Sequence, residues 1–327
     1  MKNLGEPKQF LGITIKKDRS NKILTINQTE YVYKVLERFG MTDCNPHETP
    51  MVTRQARSKK INQDQEKTRR KLNVPYREII GCISYLANAS RPDISFAVNF
   101  HSRKQSNPTE EDWLDVKRVL RYLKGIAKLG LTFRGNGDTL EAYSDSSFKD
   151  WPDSASTSGL AISLYKDTVA WRSHKQTLVT SSNCGSEYLA MSEACKEIVS
   201  LDKALRDILG YTMYPVTLYC DNQSARDCTQ KEDSHKLKDC DDTLEEIKKR
   251  LDEKERIGVK RKLSDTHGDY VKQCSLEGKV SIRRVSTHDN TADIFTKPLP
   301  LQPFRKFSNI RWLLSLMLIR DDNELFR

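Results

Sequence analysis

The 327-residue sequence has no long apolar run. Its longest, Trp312 to Ile319, is eight residues, far short of the ~20 that a bilayer span needs. No transmembrane helix is expected, only a helix packed on a core or a loosely held tail. Cysteine has no pattern either. The eight lie at 44, 82, 184, 195, 220, 228, 240 and 274, none in C-x-x-C spacing. That excludes the usual zinc ribbons and disulfide scaffolds, and points to buried thiols of a reducing compartment, cytoplasmic or nuclear. No basic leader followed by an apolar stretch opens the chain, so no secretory signal is expected.

Charge is present but unevenly spread. Residues 1 to 134 hold 26 Lys and Arg against 14 Asp and Glu, a net of +12, while residues 135 to 327 are at −2. A basic half of this kind suits a polyanionic partner. The spacing of apolar residues divides the chain at the same place. Residues 1 to 134 read as a hairpin (Gln9 to Gln28) followed by helices, with a polar, basic connector at 53 to 73. In the helix Thr109 to Ile126, Lys117, Arg118, Arg121 and Lys124 fall on neighbouring turns. They form either a solvated face or a row of phosphate contacts.

After the polar break at Gly135 to Asp138 the period changes from helical to alternating. Strands are expected at 139–147, 158–165 and 168–176, then a long amphipathic helix at 186–209, a strand at 216–222, a strand at 279–287 and a closing helix at 290–299. Three consecutive strands, a helix, a strand, more helix and a strand make a mixed five-stranded α/β sheet.

Asp221 ends the alternating run "VTLYC". An acid at the tip of a buried strand is costly unless something compensates its desolvation. One candidate is capping of the helix that follows. The other is a divalent cation, which needs further carboxylates: Asp145 near the end of the first strand, Glu187 at the start of the long helix, and Asp293 at the start of the closing helix. Four acids at element ends suit two Mg²⁺ ions, with Mn²⁺ as the alternative. Such a pair supports phosphodiester hydrolysis. Ser146, Asn222 and Gln223 stand beside the acids as candidate contacts to nucleic acid.

Several phrases together carry a resemblance: "MKNLGEPKQFLGITI", "PYREIIGCISYLANASRPDISFAV", "AYSDSSFKDW", "VAWRSHKQTLVTSSNCGSEYLAM", "YCDNQSA" and "VSTHDNTADIFTKPL". The chain resembles the C-terminal part of copia-type retrotransposon Pol polyproteins. That resemblance implies the thumb and connection end of a reverse transcriptase over 1–134, a ribonuclease H-like domain over 138–300, and a C-terminal tail over 301–327. It implies Asp145, Glu187, Asp221 and Asp293 as the ribonuclease H acids, cleavage of the RNA strand of an RNA–DNA hybrid to leave a 3′ hydroxyl, and the upstream Pol domains as possible partners.

Departures from the family pattern are also visible. No Tyr-x-Asp-Asp polymerase motif occurs, so this chain is not expected to polymerise. Gly185 replaces an acid in "SNCGSEY". Residues 226 to 262 form a long charged insertion, expected as an exposed helix with a thin apolar stripe at Leu244, Ile247 and Leu251. His235 and His267 are alternative candidates for a histidine near the acids. The rival to an active nuclease is a non-catalytic, nucleic-acid-binding remnant of such a polyprotein; a decayed fragment that folds poorly is the third reading.

Overall fold

The structure is a computed structural model that describes residues 5–53, 73–150, 154–230 and 266–308. The interiors of the basic connector and the charged insertion, His235, and the apolar run at 312–319 lie outside the described residues. The chain forms two compact units, Met1–Asn136 with Lys297–Arg327, and Gly137–Thr296.

In the first unit the hairpin is β2 (Ile13–Asp18) with β3 (Ile23–Asn27), edged by the two-residue β1 (Gln9–Phe10). A strand that the sequence reading did not include, β4 (Gly130–Phe133), extends it to four antiparallel strands, with Asn27 opposite Gly130. A Cβ at Gly130 would stand 2.1 Å from the Ile26 carbonyl oxygen, so only glycine lets the two backbones meet. Helices α1 (Thr29–Arg38), α2 (Tyr76–Ala89), α3 (Ser95–Ser102) and α4 (Glu110–Gly125) accompany the sheet. Thr109 and Asp112 close a reciprocal capping box at the start of α4. Arg91 and Asp93 form a fully buried pair at 2.7 Å, and Tyr122 donates to the same carboxylate. The late helix α8 (Leu301–Ser308) belongs to this unit: Phe304 meets Tyr122 edge to face at 5.6 Å, and Arg305 pairs with Glu48.

The second unit holds the expected mixed α/β sheet. Its strands are β5 (Leu140–Ser147), β6 (Thr157–Leu164), β7 (Asp167–Lys175), β8 (Val216–Cys220) and β9 (Val280–Arg284), in spatial order β7-β6-β5-β8-β9. The first three pair antiparallel; β8 runs parallel to β5, and β9 parallel to β8. Helix α5 (Asn183–Leu209) makes the crossover to β8, and α6 (Gln223–Gln230) with α7 (Thr266–Leu276) lies on the way to β9. Alternation sends Leu140, Ala142, Leu160, Ile162, Leu218 and Ile282 to one face, against Met191, Ala194 and Ile198 of α5 and Val271 of α7. Each such large apolar side chain contributes roughly 1.5–3 kcal/mol on burial. This core fixes the register, and the register fixes the ends of β5 and β8. The expected closing helix is a shorter 3₁₀ turn, Thr291–Phe295, packed on β5 and β6.

Candidate metal centre

The parallel pairing sets Tyr143 opposite Tyr219, and their rings stack at 4.7 Å. Two residues further along stand Asp145, within β5, and Asp221, just past the end of β8. Neighbouring strands lie roughly 4.8 Å apart, so parallel pairing places the two carboxylates side by side where an antiparallel pair would separate them. The 3₁₀ turn adds Asp293, and one oxygen from each of Asp145, Asp221 and Asp293 lies within 4.8 Å of the others. Glu187 enters from the first turns of α5 and reaches Asp221, in a second group with Cys220.

Each acid is positioned by neighbours that carry no obvious sequence signal. Thr296, fully buried, donates its hydroxyl hydrogen to Asp145 Oδ2. Asn290 caps the 3₁₀ turn by accepting from Ala292 N–H, and its own amide donates to the Ser144 carbonyl at 3.0 Å, tying the turn to β5. Gly159 of β6 leaves the space in which that turn sits. Ser182 caps α5, and Gln176 donates to the Ser186 carbonyl and to Ser158 Oγ, which fixes the start of α5 against β6 and β7.

Glu187 is 3% exposed, and no donor among the described residues reaches its Oε2. Burial, then Asp145 and Asp221, push its carboxyl well above the usual glutamate range, against hydrogen bonds from Ser146 that favour the anion. Asp202 on the same helix is also buried, but it accepts from Thr212 Oγ1 and Met213 N–H. Asp202 is therefore satisfied by the fold and Glu187 is not. An incompletely satisfied buried carboxylate beside three more is a hard oxygen donor set that fits a divalent cation.

The capping alternative for Asp221 meets a direct competitor. Asn222 Oδ1 accepts from Ala225 N–H at 3.0 Å, so the residue after Asp221 caps α6. Ser146 is buried, shares a 2.8 Å hydrogen bond with Ser186, and also bonds Glu187. It orients the glutamate. Asn222 is half-buried; Gln223 is exposed and donates to Asp227 at 2.6 Å.

The basic row of α4 is half-buried and partly occupied by its own unit. Arg118 donates to the Thr49 carbonyl and hydroxyl, Lys124 to the Cys44 carbonyl at 2.7 Å, and the Arg121 carbonyl accepts from His47 N–H. Lys117 lies over the Trp113 ring at 5.0 Å. The Arg118 and Lys124 side chains thus hold the 44–49 segment. His267 begins α7, but its side chain, like His235, lies outside the described residues. Among the described residues no helix is long and apolar enough to cross a membrane.

Residues 1–53 match the family model described as reverse transcriptase (RNA-dependent DNA polymerase). The chain is 31% identical over 306 residues to the retrovirus-related Pol polyprotein from transposon TNT 1-94 of Nicotiana tabacum, covering 93% of this chain and 21% of that one. It thus spans about a fifth of that relative's length. It is 34% identical over 203 residues to an uncharacterized mitochondrial protein of Arabidopsis thaliana, covering 61% of this chain and 80% of the relative. Among solved structures, a ribonuclease H1 isolated from compost aligns with 49% of this chain and 93% of its own at 16% identity and a TM-score of 0.31. That likeness is too distant to bear on the chemistry.

Proposed function

This chain belongs to the copia-type retrotransposon Pol polyproteins, and from that premise we propose that Gly137–Thr296 is a ribonuclease H that cuts the RNA strand of an RNA–DNA hybrid. The observation that supports it most is the meeting of Asp145, Asp221 and Asp293 oxygens within 4.8 Å, beside a buried Glu187 with an oxygen that no donor among the described residues reaches. When bound, two Mg²⁺ ions, or Mn²⁺ in their place, would activate a water and stabilise the departing 3′ oxygen.

The chain's own residues would prepare that chemistry. Thr296 holds one oxygen of Asp145 in place. Ser146 fixes Glu187. Asn222 keeps its side-chain N–H groups for a substrate hydroxyl while its oxygen caps α6, and Gln223 is exposed next to it. Selection of RNA would rest on reading 2′ hydroxyls and A-form shape. Residues 1–134, with their net +12, would retain the duplex as part of a reverse-transcriptase thumb and connection. This chain contains no Tyr-x-Asp-Asp sequence, so the proposal assigns it no polymerisation.

The test is cleavage of a hybrid labelled on its RNA strand, with Mg²⁺, beside all-RNA and all-DNA duplexes. Wild type should cut the hybrid alone, and Asp145→Asn should lose at least about a hundredfold. A soluble, cooperatively melting wild type that binds the hybrid without cutting it would instead make the chain a binding module.

A further inference from the structure

The carboxylate centre shares two of its acids with a site of different chemistry. Glu187 and Asp221 each offer one oxygen and Cys220 its Sγ, and these three atoms lie within 4.8 Å of one another. Cys220 closes β8 fully buried, on the face turned to α5. Its Sγ approaches the Asn222 carbonyl at 3.9 Å, a weak contact for a thiol. Glu187 is buried, and no described donor reaches its Oε2. A neutral thiol beside two carboxylates gives that oxygen little help.

The two groups differ in softness. Asp145, Asp221 and Asp293 present oxygen only, which suits Mg²⁺. Glu187, Cys220 and Asp221 mix sulfur with oxygen. Zinc accepts thiolate and carboxylate together, and softer cations gain most from sulfur. We propose that Cys220, Glu187 and Asp221 form a binding site for a thiophilic divalent cation of the Zn²⁺ or Cd²⁺ class. On binding, the Cys220 S–H bond breaks, its proton leaves to solvent, and a sulfur–metal bond forms with no change of oxidation state. The cation's charge offsets the crowding of Glu187 and Asp221. Because Asp221 belongs to both groups, the soft cation and Mg²⁺ compete for it. If the ribonuclease H reading holds, the soft cation is therefore an inhibitor that withdraws Asp221 and Glu187 from the oxygen centre.

The experiment is a Cd²⁺ titration of the full chain, stripped of metal, followed by the ultraviolet sulfur-to-cadmium band and by calorimetry. Other thiols, such as the Cys195–Cys274 pair in mutual contact, are removed by taking the difference from Cys220→Ala. Wild type should show a tight phase that Cys220→Ala lacks and that excess Mg²⁺ weakens. Glu187→Gln, which keeps the thiol, should bind at least tenfold more weakly, and it decides the matter if Cys220→Ala fails to fold. A tight phase unchanged in either variant, or absent from wild type, overturns the proposal. The readout is binding, so a chain that shows the phase yet cuts no hybrid fails only the nuclease reading. A chain that cuts without the phase fails only this one.

Discussion

Gly159 lies directly across the antiparallel ladder from Asp145, and a Cβ built on it would stand 2.7 Å from Thr296 Cγ2 and 2.9 Å from the Ala292 carbonyl oxygen. The absence of a side chain on β6 is thus what admits the turn carrying Asp293. Gly159→Ala should cost about 1–3 kcal/mol, the range for overpacking against atoms that cannot move aside. Urea unfolding measures it; a variant as stable as wild type would mean the turn backs away freely.

Thr296 supplies the hydrogen that Asp145 Oδ2 accepts. Thr296→Val keeps the shape and removes the donor, which should cost about 1–3 kcal/mol for a buried acceptor. Thr296→Ser should recover most of it. An undiminished Thr296→Val beside a destabilised Thr296→Ser would assign the effect to packing of the methyl group and not to the hydrogen bond.

Asp221 and Asn222 separate cleanly by substitution. Asn222→Ala should destabilise by about 1 kcal/mol through the lost cap on α6. Asp221→Asn should not destabilise the metal-free protein, since it relieves repulsion among carboxylates, yet it should reduce hybrid cleavage at least about a hundredfold. Stability curves and cleavage rates on the same preparations check both halves.

Glu187 carries the pH dependence. Its folded carboxyl is held well above the ordinary value of 4.5, by burial first and then by Asp145 and Asp221. The folded state therefore binds the proton more tightly than the unfolded chain. The associated stability is fully present below the ordinary glutamate value and is lost as pH rises through the raised one. Metal-free protein should soften over that window. Mg²⁺ favours the anion and should stabilise more strongly toward its upper end. Melting curves with and without Mg²⁺ test this, and Glu187→Gln should flatten the trend.

Gly185 occupies the third position of α5, and its N–H donates to the capping Ser182 at 3.1 Å. Its site is open enough for a side chain, the nearest atoms to a Cβ being 3.4 Å away. Gly185→Glu should complete a capping box and raise stability by about 1 kcal/mol. No gain on thermal unfolding would show that Thr180 and Ser182 prevent the glutamate from folding back.

What the sequence made legible followed from local pattern. The strands of the second unit alternate, α5 repeats apolar residues at helical spacing, and the four acids stand where those patterns stop. What escaped depends on distant partners. Strand β4 is four residues long and pairs with β3 about a hundred positions earlier, so its window holds too little alternation to stand out. Thr296, Asn290 and Gln176 act through single hydrogen bonds whose other ends lie far along the chain. The α4 cations looked free because sequence spacing shows a shared face and not the loop that packs on it.

The first unit is assembled from two separate stretches, with the whole of Gly137–Thr296 between them. On a ribosome adding about 5–20 residues per second, α8 emerges roughly ten to thirty seconds after the rest of its unit. During that delay Tyr122 lacks the ring of Phe304, and Glu48 lacks Arg305. The later-born, contiguous unit has its entire core in hand first. Order of synthesis and order of completion are therefore reversed, and the unit that starts first has the longer exposure to chaperones.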